Sequence, residues 1–278
     1  MSRIPEKIYL WPEISEDDQE TQQDGVSMNT NRAYLEAFPV TNPRNAGAVL
    51  IFPGGGFRCL ATTHEGRDIA HWVNKELSMA AFVVHYQLAH LEYPQPYKDA
   101  QRAIRIVRQH ANEWQLCGNQ IGVMGFSIGG HLAATLAIKP NAFPITNDPF
   151  GTVDARPAWC ALGYPVTTMN PSLAHIPSTQ KLLGKTPDHE QIKQCDLSKQ
   201  VTDEVCPIFA FHGLQDPAVN SEQTIRFMDG VKPYSPESEL HIYQLQKHSF
   251  GLATNETGKV HDWPETLHQW LSNHQLVD

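Results

Sequence analysis

Ser127 stands in the run Gly125-Phe126-Ser127-Ile128-Gly129, with Gln120-Ile121-Gly122-Val123-Met124 before it and an apolar stretch from Gly130 to Ile138 after it. An apolar strand that turns at once into a helix puts the serine at a strained apex, and glycines two positions to either side make room for neighbouring backbone. The pattern is a nucleophile elbow, whose hydroxyl is expected to project into solvent. The helix that follows aims its first N–H groups at the point where the charge of an attacked carbonyl would form. G-x-S-x-G also occurs as an ordinary turn with a helix-capping serine, but the strand-then-helix flanks favour the elbow.

A serine hydroxyl is a weak nucleophile at neutral pH, so Ser127 needs a histidine to take its proton and an acid to hold that histidine in one tautomer. With fourteen histidines in the chain, position has to choose among them. An elbow of this type is followed by its acid and then its histidine. Asp216 lies on the loop after the apolar run Ile208 to His212, and His248 on the loop after Leu240 to Leu245. Two successive strand-end loops then deliver acid and base to the edge of a sheet where ligands gather. Taken singly, Asp216 could be a turn residue before Pro217 and His248 a surface histidine; the shared order favours a triad. Catalysis through a neutral imidazole predicts activity that falls as the pH drops through roughly 6 to 7.

The run Phe52-Pro53-Gly54-Gly55-Gly56-Phe57 directly follows another apolar stretch. Glycines let backbone N–H groups approach a ligand closely, and Gly55 and Gly56, with the N–H of Ile128, could receive an oxyanion. No Gly-Lys-Ser or G-x-G-x-x-G completes the run, which speaks against a phosphate loop. Phe57 and Glu65 are candidate substrate contacts, although an acid such as Glu65 could equally support a helix N-terminus. His131, in the helix after the elbow, is read as a packing or capping residue, and His212 as a buried strand-end histidine. Without an HExxH or a paired Cys/His set, no metal site is expected.

These loops need a mostly parallel sheet to position them. Strands are expected over 48–52, 80–86, 121–126, 159–164, 208–212 and 240–245. Helices are expected over 65–76, 129–138, 221–228 and 263–273, and in the stretch carrying Ala100, Ala103, Ile104, Val107, Ala111 and Trp114 at helical spacing. Arg102, Arg105 and Arg108 on that helix read as a solvated face. The alternation predicts an α/β fold, with a mostly parallel twisted sheet and helices on both faces. Residues 1–45 are expected to form a strand or hairpin at the sheet edge. Residues 165–205, rich in proline and poor in periodicity, are expected to be a small loop-rich insertion over the site. Nothing in 1–278 demands a second domain.

Apolar content of 41% with 18% charged residues is ordinary for a globular protein. No apolar run is long enough to cross a bilayer, and the charged, proline-containing first ten residues do not read as a secretory signal. A formal charge of -9 disfavours nucleic acid and anionic membranes as partners. Five scattered cysteines suit a reducing compartment and a cytoplasmic location, and are read as packing residues.

Pro53 to Phe57, His64-Glu65-Gly66, Asp99 to Arg105, Ile121 to Ala133 and His248 to Leu252 together resemble the α/β-hydrolase esterases of the acetyl xylan esterase-like, carbohydrate acetyl esterase type. The resemblance runs from about residue 48 onward. It implies a serine esterase that removes short acyl groups, often acetyl, from sugars or other alcohols, without metal or organic cofactor. Carried over by motif, Ser127 would be nucleophile, His248 base and Asp216 its orienter, with Gly55, Gly56 and Ile128 as oxyanion donors. Two departures stand out: many relatives have alanine at the place of Ile128, where the larger side chain is expected to narrow the acyl pocket, and glycine at the place of Ser249. The expected partner is a small-molecule ester, such as an acetylated oligosaccharide, and a homo-oligomer is compatible with everything above. The same groups could cleave peptide or thioester bonds, and a catalytically silent binding module is a further alternative.

Overall fold

The computed structural model describes residues 4–12, 20–28, 30–41, 46–88 and 91–277. Eight strands form one sheet, and two further strands form a separate hairpin. β1 (Lys7–Tyr9) pairs antiparallel with β4 (Tyr34–Phe38), which pairs antiparallel with β6 (Ala80–His85). From β6 through β5 (Ala46–Phe52), β7 (Leu116–Phe126), β8 (Cys160–Gly163), β9 (Ile208–Gly213) and β10 (Glu239–Tyr243) all neighbours run parallel. All six strands expected from sequence are present, with ends shifted by up to five residues. At the N-terminus β1 and β4 lie at the sheet edge, while β2 (Thr21–Gln23) and β3 (Val26–Met28) form a hairpin of their own, with Ser27 of β3 also bridging to Leu60; residues 1–3, 13–19, 29 and 42–45 lie outside the described residues.

Successive side chains of a strand point to opposite faces, so the sheet separates two cores. Ala48, Leu50 and Phe52 of β5 join one cluster, and Val49 and Ile51 the other; Ile208 and Ala210 of β9 oppose Phe209 and Phe211 in the same way. The first cluster takes the inward residues of α2 (Gln95–His110), α3 (Ser127–Ile138) and α6 (Glu222–Val231). The second takes those of α1 (Asp68–Glu76) and α7 (Trp263–Asn273). Helices therefore cover both faces, as expected. Gly122 is glycine because Trp159 lies across it: a Cβ there would come within 2.1 Å of the indole.

Three expectations are corrected. The helix expected from residue 65 starts as a π-type turn, Thr63–Arg67, and becomes α-helical only at Asp68. The arginine stripe of α2 is no solvated face, since Arg102 and Arg105 are buried. Arg102 binds Leu10 O and Asp148, Arg105 binds Asn141, and Arg108 donates to the carbonyls of Gly118, Asp154 and Arg156. Guanidinium groups can be covered when neighbouring carbonyls and carboxylates take their donors; Leu10, Gly118 and the segment 141–156 supply most of these acceptors, while Arg105 Nε is left without one among the described residues. The region 165–205 holds two short helices, α4 (Ile176–Leu183) and α5 (His189–Gln194). Pro177 and Gly184, which read as loop punctuation, are the first-turn proline and the left-handed terminal glycine (φ 82°) of α4. Two of the four inward residues of α4, Ser178 and Thr179, are polar, so its hydrophobic period is faint.

Candidate active site

The four loops singled out by sequence meet at the carboxyl ends of β5, β7, β9 and β10. Ser127 turns the chain from β7 into α3 at φ 51°, a left-handed conformation that costs a non-glycine residue roughly 1–2 kcal/mol. The flanking glycines make that turn possible. A Cβ on Gly125 would lie 2.5 Å from Gly129 O, and one on Gly129 would lie 2.1 Å from Phe52 O. The serine is only 7% exposed, so its hydroxyl is largely covered rather than projecting into solvent. Val166 N–H binds Ser127 O at 2.9 Å, drawing the start of the 165–205 segment over it.

His248 Nε2 lies 2.8 Å from Ser127 Oγ, and His248 Nδ1 lies 2.6 Å from Asp216 Oδ2. The Asp216 side chain is fully buried and that of His248 is 18% exposed. An ionised carboxylate only accepts, so Nδ1 carries the imidazole proton and Nε2 is left to accept from the serine. Asp216 Oδ1 takes the N–H groups of Ala218 (2.8 Å) and Val219 (2.9 Å), while Oδ2 also faces His212 Nε2 at 3.2 Å. Burial opposes its charge, but hydrogen bonds from His212 and His248, the charge of His248 and the backbone donor outweigh it and hold the carboxyl well below the usual carboxylate range. His212 is buried, as expected, with Nδ1 on Thr224 Oγ1 at 2.7 Å.

In the glycine run, Gly55 (φ 130°) and Gly56 (φ 65°) adopt backbone that side chains disfavour. Among the described residues no acceptor takes the N–H of either one. Ile128 is in the first turn of α3, where N–H groups have no intrahelical partner. Its side chain is fully buried in the larger core cluster, as is Phe57, whose ring meets Tyr86 edge-on. Gly54, by contrast, is committed: its N–H binds Glu65 Oε2 at 2.8 Å, and a Cβ on it would sit 2.8 Å from Ser127 Cβ.

Glu65 is fully buried and works inward rather than lining an open pocket. Its Oε1 accepts the hydroxyls of Tyr164 (2.9 Å) and Ser249. Tyr164 Oη also accepts Gly251 N–H at 3.0 Å, and its ring stands 5.0 Å from that of His248. One carboxylate thus ties together the glycine loop, the end of β8 and the histidine loop. Tyr164 and Ser249 were not foreseen; the signal available was position, one at a strand end and one beside His248. His131 is buried, with Nδ1 donating to Val166 O and Nε2 near Tyr97 Oη, and burial lowers its pKa to about 3. It packs, as its place in α3 suggested.

The 165–205 segment adds His175 and Ser178, also unforeseen because they lie far from every motif in sequence. His175 Nδ1 is 2.7 Å from Ser178 Oγ, and Ser178 Oγ lies 3.6 Å from where a Cβ on Gly56 would be. The insertion therefore reaches the glycine run at Gly56. Among the described residues no cluster of three His, Cys, Asp or Glu side chains could hold a metal ion, and no helix is long and apolar enough to cross a membrane.

Residues 38–230 match the BD-FAE family model. The chain belongs to the BD-FAE family. The chain is 32% identical over 247 residues to an acetylxylan esterase of Xylanibacter ruminicola, covering 87% of this chain and 48% of that protein. An endo-1,4-beta-xylanase B of Butyrivibrio fibrisolvens is 29% identical over 212 residues, 75% of this chain and 33% of that one. This BD-FAE chain thus spans about half or less of the curated relatives it matches. Its fold is that of an acetyl ester-xyloside bifunctional hydrolase from Caldicellulosiruptor lactoaceticus, with a TM-score of 0.86 at 29% identity over 98% of this chain and 97% of the other. The carboxylesterase Cest-2923 of Lactobacillus plantarum shares the α/β-hydrolase fold at TM-score 0.70 and 18% identity, covering 94% of this chain and 98% of its own.

Proposed function

We propose that the chain is a serine carboxylesterase that removes short acyl groups, O-acetyl on carbohydrate hydroxyls above all, through an acyl-enzyme on Ser127, with 1–278 acting as one catalytic unit. The observation that carries this reading is the unbroken hydrogen-bond chain from Ser127 Oγ through His248 to Asp216. Ser127 Oγ attacks the ester carbonyl carbon while His248 Nε2 takes its proton. The resulting oxyanion is received by the N–H groups of Gly55, Gly56 and Ile128, a type of stabilisation in which one donor is worth about 3 kcal/mol. His248 then gives the proton to the leaving alcohol oxygen, and a water activated by the same nitrogen frees the acid. Asp216 stays ionised throughout, held by its four donors. The choice of acetylated carbohydrate is supported by the chain's similarity to an acetylxylan esterase and to an acetyl ester-xyloside bifunctional hydrolase.

The test measures acetate released from acetylated xylo-oligosaccharides beside 4-nitrophenyl acetate and butyrate. Wild type is expected to turn over the acetates and to be labelled by a fluorophosphonate. Ser127→Ala is expected to lose labelling and about 10⁴-fold or more in kcat. Cleavage of peptides or thioesters with no ester turnover would overturn the reading.

A further inference from the structure

In the mechanism proposed above, the leaving oxygen must come within hydrogen-bond reach of His248 Nε2, because that nitrogen returns the proton. Whatever borders His248 from the insertion therefore borders the alcohol half of the ester. His175 of the insertion lies within electrostatic reach of His248 and Asp216 and is tied by geometry to the glycine run. Its Nδ1 is taken by Ser178 Oγ at 2.7 Å, and Ser178 in turn lies against the oxyanion loop at Gly56. Its Nε2 has no partner among the described residues, and the side chain is half-buried. The surroundings of the imidazole fit this placement: burial, then the charges of His248 and Arg58, lower its pKa, and Asp216 raises it.

The backbone carrying His175 is fixed at several points. Val166 N–H binds Ser127 O, Gln223 Nε2 binds Leu173 O at 2.8 Å, and Thr179 closes on His175 O through both its N–H and its hydroxyl. A neutral imidazole held there has a useful ambiguity. Ser178 can donate to Nδ1, leaving Nε2 protonated, or accept from it, leaving Nε2 as an acceptor. Such a nitrogen matches a hydroxyl group, which also donates and accepts, better than it matches an alkyl or aryl alcohol.

We propose that His175 Nε2 binds a free hydroxyl of the alcohol half next to the scissile ester, making His175 a specificity residue that selects polyhydroxylated alcohols over simple ones. The proposal rests on the esterase reading and deepens it. A neutral hydrogen bond of this kind, lost without leaving a partner stranded in an apolar site, is typically worth about a tenfold change in binding.

The experiment compares wild type, His175→Ala and His175→Gln on acetylated xylo-oligosaccharide, 4-nitrophenyl acetate and 4-nitrophenyl butyrate. His175→Ala is expected to lower kcat/KM for the sugar about tenfold, mainly through KM, while the nitrophenyl acetate value stays within about twofold. His175→Gln, which keeps a terminal donor and acceptor, is expected to recover part of the loss. Equal losses on sugar and nitrophenyl ester would make His175 a merely structural residue and overturn the proposal. So would no loss on either, or a change confined to the acetate-to-butyrate ratio, which would place the residue on the acyl side. Wild type that turns over nitrophenyl acetate but no acetylated sugar overturns this proposal alone; wild type that neither turns over any ester nor takes a fluorophosphonate label overturns the esterase reading and this one with it.

Discussion

Glu65 Oε2 takes the backbone N–H of Gly54 at 2.8 Å, which commits the first glycine of the triple-glycine loop to structure and leaves the next two N–H groups without an acceptor among the described residues. The other oxygen of the same carboxylate holds Tyr164 and Ser249, so glycine loop and histidine loop share one anchor. Removing that anchor strands Gly54 N–H in a buried place, whereas the two hydroxyls can rotate to other partners. We predict that Glu65→Ala costs roughly 3 kcal/mol of stability and lowers activity by more than tenfold. Glu65→Gln should cost only about 1 kcal/mol, because an amide can offer its oxygen to Gly54 and its NH₂ to the hydroxyls. Thermal melts and kcat/KM on nitrophenyl acetate decide this; an alanine variant with wild-type values of both would refute the anchor.

Asp216 presents different work on its two oxygens. Oδ1 holds two backbone N–H groups and Oδ2 faces His248 and His212. Asp216→Asn would keep its oxygen on the backbone donors and turn its NH₂ toward His248, which then has to accept through Nδ1 and carry its proton on Nε2. That tautomer cannot take the serine proton. The expected result is a drop in kcat of about 10⁴-fold with the fold retained. A loss under tenfold would count against Asp216 as the group that orients His248.

His131 gives a stability prediction with a definite sign. In an unfolded chain a histidine titrates near 6.5, whereas burial lowers His131 to about 3 in the fold. Between these values the unfolded chain binds a proton that the folded chain lacks, so this residue's contribution is fully present above 6.5 and is lost as the pH falls toward 3. At pH 5 the loss is about 2 kcal/mol. His131→Gln cannot take up that proton in either state. Denaturant titrations at pH 7 and pH 5 should show a smaller fall in stability for the variant by that amount; equal falls would remove His131 as the source.

Two glycines predict opposite severities. Gly129→Ala would drive a methyl to within 2.1 Å of Phe52 O and 2.5 Å of Pro53 O, both backbone atoms that cannot step aside. Loss of soluble folded protein, or of at least about 100-fold in activity with the elbow displaced, is expected. Gly184, at φ 82° and ψ 179°, has nothing within 4 Å of its missing Cβ, so Gly184→Ala pays only backbone strain of about 1–3 kcal/mol. Expression yield and melting temperature of the pair test the contrast, which fails if Gly184→Ala is the more damaging of the two.

Much of the molecule was legible in residue order because the signals were local. The alternation of apolar runs with helical periods announced the sheet and its covering helices, since burial on two faces imposes period 2 on strands and 3.6 on helices. Ser127, Asp216 and His248 could be chosen from their order along the chain and their place after strands. What stayed hidden were contacts whose partners are distant in sequence and whose residue types are unremarkable. Glu65 meets Ser249 across 184 residues, and no spacing rule links a turn glutamate to a loop serine.

The chain by itself determined the strand and helix menu, the strained turn at Ser127 and the supply of glycine N–H groups, because each follows from sterics and burial within a few residues. Only the tertiary structure decided that Arg102 and Arg105 are covered, that Pro177 and Gly184 bound a helix, that Glu65 faces inward and that His175 meets Ser178 beside Gly56. Those outcomes depend on which donors and acceptors are brought together when separate segments pack, and a buried polar group is settled by the partner it finds rather than by its neighbours in sequence.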